Sequence, residues 1–303
     1  MNKIIIDLGY SSAKIMFNGE FYKVPTAISF ANDAGIEFGE SAVYKFEGEE
    51  YYVGEAATDE AFTTTDYKFL EKFGPLMVFH ILKKLGIVGE IKLITGLALT
   101  DWSKRIEFQE RLQFLKVNDE TVATACEVVA PQGAGAYYAY VTQKDEAPGE
   151  HPKDACVIDI GYRTINFLYF ERGNAIQTRM KGFPGHGVVS IMKTFSNYLE
   201  STYGMPFSEQ EALKIFMDGE LTLGGEVQEG IPAKIEDLKG KFVQKLINSV
   251  LVSEKKALQF ASTVLIAGGG AYLLEGFIGM KNVVWNKNPK EFSNAYGYSL
   301  VSN

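Results

Sequence analysis

With 303 residues, 46% of them hydrophobic, the chain can bury one large core or two medium ones, which excludes a disordered polypeptide. A formal charge of −8 and a pI near 5.1, with no dense Lys/Arg block, argue against direct nucleic-acid binding. No run nears the roughly 20 apolar residues of a membrane-spanning helix, and Lys3 with three isoleucines before Asp7 is no secretory leader; no membrane partner is expected, and the expected compartment is the cytoplasm.

The chain opens with an apolar run that meets a turn and resumes: Ile4-Ile5-Ile6-Asp7-Leu8-Gly9-Tyr10, then Ser11-Ser12-Ala13-Lys14-Ile15-Met16-Phe17. This reads as a β-hairpin carrying a carboxylate near its tip. Asn18-Gly19 is a tight-turn dipeptide that leads into a third strand, Phe21 to Val24. A second hairpin is legible from Val43 to Gly54, and residues 26–68 read as an insertion. Leu76, Phe79, Leu82 and Leu85 fall at helical spacing before the strand Ile91 to Thr95.

A polar helix is expected from about Trp102 to Leu112, then strands at 114–117 and 125–129 running into Pro131-Gln132-Gly133-Ala134-Gly135-Ala136 and a helix to about Thr142. The charged stretch 144–153, with two prolines, reads as a surface loop between two halves. The first hairpin then recurs as Cys156-Val157-Ile158-Asp159-Ile160-Gly161-Tyr162 followed by Arg163-Thr164-Ile165-Asn166. Two copies imply two similar half-molecules. Two Asp-bearing turns facing each other would suit a hydrated divalent cation and a phosphate tail, because a glycine turn lets backbone N–H groups approach an anion.

Farther on, Gly185-His186-Gly187 precedes a helix with Val188, Ile191, Met192 and Phe195 on one face. Ser208-Glu209-Gln210-Glu211 has the form of a capping box, so a helix is expected from there to about Met217. Gly224-Gly225 reads as a hairpin turn, and one long amphipathic helix is expected over about Ile235 to Phe260. The strand Thr263 to Ala267 runs into Gly268-Gly269-Gly270 and a further helix. Three glycines there leave bare backbone against which a planar ligand or phosphate can lie. Cys126 and Cys156 are expected to be buried free thiols. His80, His151 and His186 have no metal-ligand spacing and are expected to be structural.

The order of hairpin, linker, hairpin and strand-Gly-Gly-Gly resembles the actin, heat-shock chaperone and sugar kinase superfamily of ATPases. Within it the chain looks closest to bacterial and archaeal actin-like proteins of the ParM/StbA plasmid-segregation type. Supporting stretches are Lys45 to Ala57, Ile94 to Leu97 and Val129 to Gly135. The resemblance implies an α/β, actin-like fold: two duplicated ribonuclease-H-like domains around a nucleotide cleft, each with a small inserted subdomain. The implied division is domain I over 1–150 with its insertion at 26–68, domain II over 151–285 with an insertion at 205–255, and a segment 286–303 returning to domain I.

Carried onto this sequence, the family pattern implies that Asp7 and Asp159 hold Mg2+ through water. Lys14 would reach the terminal phosphates, and Leu8, Gly9, Tyr10, Ser11 and Ser12 would supply the first phosphate turn. Gly161, Tyr162, Arg163 and Thr164 would line the other side. Asp159 would sit near the γ-phosphate and the attacking water, Gln132 would orient that water, and Gly268, Gly269 and Gly270 would pack on the adenosine. The implied cofactors are ATP, with GTP left open, and Mg2+; the implied partners are further copies of the chain in head-to-tail filaments and a DNA-binding adaptor. Two alternatives stay open: a small-molecule kinase with Asp101 as base, and a non-hydrolysing nucleotide-dependent scaffold. The chain departs from actin at Tyr162, where actin has a second Asp, and at Tyr10, where actin has a small hydroxyl residue.

Overall fold

The computed structural model describes residues 1–31, 43–64, 66–276, 281–287 and 289–302. Three strands open it: β1 (Asn2–Leu8), β2 (Ser12–Phe17) and β3 (Glu20–Pro25) form an antiparallel meander whose β1–β2 register sets Asp7 opposite Lys14. A small sheet follows, ordered β4 (Ile28–Phe30), β6 (Glu49–Val53) and β5 (Tyr44–Phe46). Parts of the expected insertion, residues 32–42 and 65, lie outside the described residues.

Helix α1 (Tyr67–Lys84) starts where the Asp66 side chain accepts from the Lys68 N–H at 2.9 Å. It contains Pro75, which has no N–H to offer the carbonyl of Glu71. Arg111 Nε donates to that carbonyl at 3.3 Å instead, so the proline is accommodated without a stranded acceptor.

Strand β7 (Ile91–Leu97) lies parallel to β1. The polar helix expected from Trp102 is a 3-10 turn over Leu99–Lys104 that passes into α2 (Arg105–Gln113). Strands β8 (Phe114–Val117) and β9 (Glu120–Pro131) complete a sheet of order β3-β2-β1-β7-β9-β8, in which β7 and β9 are parallel with a bulge after Thr95. Helix α3 (Ala134–Gln143) follows.

The second half repeats the scheme. β10 (Asp154–Ile160) and β11 (Thr164–Glu171) form the second hairpin, with Asp159 opposite Asn166. β12 (Asn174–Ala175) and β13 (Lys181–Pro184) pair with β11. Helices α4 (Val189–Tyr203) and α5 (Glu209–Asp218) and the hairpin of β14 (Thr222–Leu223) and β15 (Glu226–Val227) precede α6 (Gly230–Leu246). The single helix expected over 235–260 is interrupted: α6 passes through a π turn at Ile247–Leu251 before α7 (Lys255–Phe260). Ser249 Oγ donates to the Lys245 carbonyl at 2.7 Å, the back-bonding that perturbs a helical ladder. β16 (Thr263–Ala267) lies parallel to both β10 and β17 (Val283–Trp285). The chain ends in α8 (Ser293–Val301).

Helices α3 and α8 lie between the two sheets. Ile5 and Ile94 from the first sheet, Tyr137 and Tyr298 from the helices, and Val157 and Leu168 from the second share one buried cluster. Tyr137 stacks on Phe170 of β11 at 3.8 Å between ring centroids, fixing α3 to the second sheet. The two helices cross in backbone contact: a methyl on Gly297 would overlap Gly135 O, and one on Gly135 would meet Asn294. That crossing brings the Asp7 and Asp159 hairpins to the same level.

Candidate functional site

The first turn is built to bare its backbone. Gly9 N donates to Asp7 O at 3.1 Å, and Thr26 Oγ1 donates to Gly9 O at 2.6 Å. A methyl on Gly9 would lie 2.9 Å from Ser12 O and 3.2 Å from Lys14 Nζ, so glycine lets the lysine fold over the turn. Lys14 Nζ donates to Ser12 O at 3.0 Å. In the second turn, Gly161 N donates to Thr164 O at 2.9 Å, while Val188 N and Val189 N donate to Gly161 O and Tyr162 O. The start of α4 is thereby tied to the turn.

Between the turns runs the crossing from β9 to α3. Gln132 N donates to Leu97 O at 2.9 Å, and its side-chain Nε2 donates to Asp7 Oδ1 at 2.8 Å. Gly133 takes φ 91 at the start of α3, where a methyl would lie 3.2 Å from Asp159 Cβ; only glycine suits this backbone and this proximity. Asn294 of α8 ties the assembly together. Its Oδ1 accepts from Gly133 N at 2.8 Å and Ala136 N at 3.1 Å, and its Nδ2 donates to Asp159 Oδ2 at 3.2 Å. Asn166 Nδ2 lies 3.5 Å from the same oxygen, and its Oδ1 accepts from Leu99 N of the first half at 3.0 Å.

Asp7 and Asp159 are both buried. Burial raises the Asp7 carboxyl above its ordinary range, opposed by Lys14, Gln132 and Asn294. Burial and then the charge of Asp7 push Asp159 up to about 6, opposed by Asn294, Asn166 and Lys14. Burial lowers Lys14, and Asp7 counters it. Two buried carboxylates, one of which raises the other, favour a cation between them. Among the described residues no group of three or more His, Cys, Asp and Glu side chains that could hold a metal ion is found; two carboxylates alone are a donor set suited to a cation that keeps most of its water.

A cavity of about 850 Å³ opens between the halves. Ser11, Ser12 and Lys14 line one side, and Gly161, Tyr162, Gly269 and Gly270 the other. Where a helix is expected after the glycines, the chain makes a 3-10 turn over Gly269–Leu274; Gly268 (φ 83) and Gly270 press onto Ile160, leaving no room for a Cβ. Asp7, Asp159 and Gln132 are not among the residues that line the cavity; Leu8 is buried in β1, and Thr164 is buried at the start of β11. Tyr10 is buried and feels the charges of Asp101, Asp66 and Arg163. Arg163 turns to Glu209, 2.9 Å from its Oε1, and to Thr64 at 3.3 Å.

Residues that the motifs did not mark also meet here. Tyr272, Glu291, Gln210 and Lys214 line the cavity. Gln210 Nε2 donates across the mouth to Ser11 O and Thr26 O, each at 3.3 Å, and Ser208 Oγ to Thr58 O at 2.7 Å. The Ser208 capping box does form. It marked where α5 begins, with no signal for what that helix end faces.

Two sheets, each carrying an acidic hairpin toward a common cleft and clamped on a crossed helix pair, are the architecture of actin. The model of the actin-like protein N-terminal domain matches residues 6–135, and that of the archaeal actin homologue MreB-like C-terminal domain matches 157–279. The chain belongs to the actin-like proteins. Among solved structures, a non-polymerisable quadruple mutant of pCBH ParM is similar at a TM-score of 0.76 with 18% identity, over 98% of this chain and 97% of that one. The archaeal actin homologue Ta0583 is similar at 0.76 with 19% identity, over 98% of both chains, and its complex with ADP at 0.73 with 18% identity over the same share. A 15-stranded ParM filament from Clostridium botulinum is similar at 0.73 with 20% identity, over 98% of both. Among curated proteins none matches the sequence. No helix among the described residues is long and apolar enough to cross a membrane.

Proposed function

We propose that this protein binds ATP with Mg2+ in the cleft, assembles head to tail into filaments in that state, and hydrolyses the nucleotide to weaken them. The observation that carries the reading is the 2.8 Å hydrogen bond from Gln132 to Asp7, which joins the crossing segment to the first hairpin beside Asp159 and Lys14. Lys14 and the backbone N–H groups of the Leu8 to Ser12 turn hold the terminal phosphates from one side, and the Gly161 to Thr164 turn from the other. Gly268 to Gly270 accommodate the nucleoside. Asp7 and Asp159 would hold a hydrated Mg2+ through water, and that ion would supply charge neutralisation at the transferred phosphoryl group. Gln132 orients the attacking water through its amide, and Asp159 takes its proton as the bond to ADP breaks. Positioning and electrostatics are most of what this reaction needs.

Head-to-tail contacts that do not close on themselves generate open filaments, and two of the structurally similar proteins are ParM. The formal charge of −8 suits a cytoplasmic protein whose DNA cargo, in plasmid segregation, is held by a separate adaptor. The kinase alternative is weaker: the Asp101 carboxylate already accepts from Thr100 Oγ1 at 3.0 Å. Sedimentation and phosphate release, followed with ATP, GTP, ADP and a slowly hydrolysed analogue, test the reading. Pelleting with ATP and the analogue, and phosphate release with ATP, are expected; solubility that is indifferent to nucleotide contradicts the filament.

A further inference from the structure

Tyr298 is fully buried, yet among the described residues its hydroxyl has no hydrogen-bond partner. Its ring lies in a cradle of bare backbone: a methyl on Gly96, at the bulge of β7, would overlap the hydroxyl, and one on Gly135 would come within 2.8 Å of Cε1. A phenylalanine would fill that cradle equally well without stranding a desolvated phenol. The hydroxyl therefore needs an account that packing does not supply.

The helix gives its direction. Asn294 and Tyr298 stand four residues apart on α8 and so share one face. Asn294 on that face bonds Asp159 Oδ2 at 3.2 Å, and the charges that bear on the Tyr298 hydroxyl are those of Asp7 and Asp159. Residue 294 bonds the carboxylate and the start of α3; residue 298 sets its O–H against Gly96, which follows Thr95 in β7 as Asp7 follows its partner Ile6 in the neighbouring strand β1.

We propose that Tyr298 is a positioning residue for the Asp7–Asp159 pair, its O–H directed at the hydrated divalent cation site those carboxylates form. This rests on the nucleotide-and-metal reading above and adds to it a residue outside all three glycine motifs. The hydroxyl can serve as donor to a carboxylate or acceptor from a metal-bound water, in the manner of outer-shell groups around metal sites, whose removal costs about 10- to 100-fold in metal affinity.

The test is Tyr298→Phe in the full chain, with Mn2+ as the probe. Mn2+ binding to the ATP-loaded protein is followed by electron paramagnetic resonance, ATP binding is measured separately without divalent metal, and both proteins are melted. The expected result is Mn2+ affinity lowered about tenfold with a changed spectrum, metal-free ATP affinity within twofold, and a melting temperature equal to or above the parent's. Unchanged Mn2+ affinity and spectrum would overturn the proposal. So would a variant that melts several degrees lower, because the hydroxyl would then be bonded within the protein. A parent that binds neither ATP nor Mn2+ overturns the underlying site reading instead, and this proposal with it.

Discussion

Gln132 Nε2 and Asp7 Oδ1 are 2.8 Å apart, although 125 residues separate them in the chain. The amide holds one carboxylate oxygen of the first hairpin and leaves its own carbonyl for a water. Gln132→Ala removes both functions without touching the phosphate turns. Phosphate release is expected to fall about 100-fold, while ATP-driven pelleting persists; release at the parent rate would remove Gln132 from the reaction.

Asp159 links the site to stability. Its folded pKa of about 6 stands above the ordinary 3.8, so between those values the native state binds more protons than the unfolded chain. Stability from this group falls as pH rises from about 4 to about 6 and is level above that. The penalty at neutral pH is on the order of 3 kcal/mol. Asp159→Asn removes it: urea denaturation is expected to show the variant more stable than the parent at pH 7.5, with the advantage gone by pH 4. Its phosphate release should be lost at either pH.

The clasp across the cleft mouth joins Gln210 to Ser11 and Thr26, Ser208 to Thr58 and Arg163 to Thr64. These bonds lie over the cavity, outside both cores. Gln210→Ala should therefore speed release of a fluorescent ADP severalfold and cost no more than about 1 kcal/mol of stability. An unchanged release rate would mean the clasp does not limit nucleotide exit.

The helix crossing is a packing claim. Gly297→Ala forces a methyl onto Gly135 O where α8 meets α3. Because both neighbours are backbone, relief requires the helices to part, and urea denaturation should show a loss of at least about 2 kcal/mol. ATP binding should weaken as well, since the same crossing aligns the two hairpins.

Local patterns in the sequence were enough to place both acidic hairpins, the α5 capping box and the Gly224-Gly225 turn, because each is set by a few neighbouring residues. Asn294 was not legible. Its role arises only when α8 folds back between the halves and meets α3, and no nearby residue signals that. Arg163 reads from its motif as a phosphate-turn residue, whereas its guanidinium is engaged by Glu209, a partner supplied by a distant helix. The break at Ile247–Leu251 escaped the amphipathic pattern because the π turn still buries Val250 while it shifts the ladder and leaves Ile247 exposed.

The central claim is that the cleft over Asp7, Lys14 and Asp159 is a Mg-nucleotide site. Equilibrium binding of ATP in the presence of Mg2+, to the parent chain and to Lys14→Ala, tests it most directly. Saturable binding by the parent, weakened at least about tenfold by loss of a charge-assisted contact to phosphate, is the predicted result. No saturable binding by the parent, or equal affinity in the variant, would contradict it.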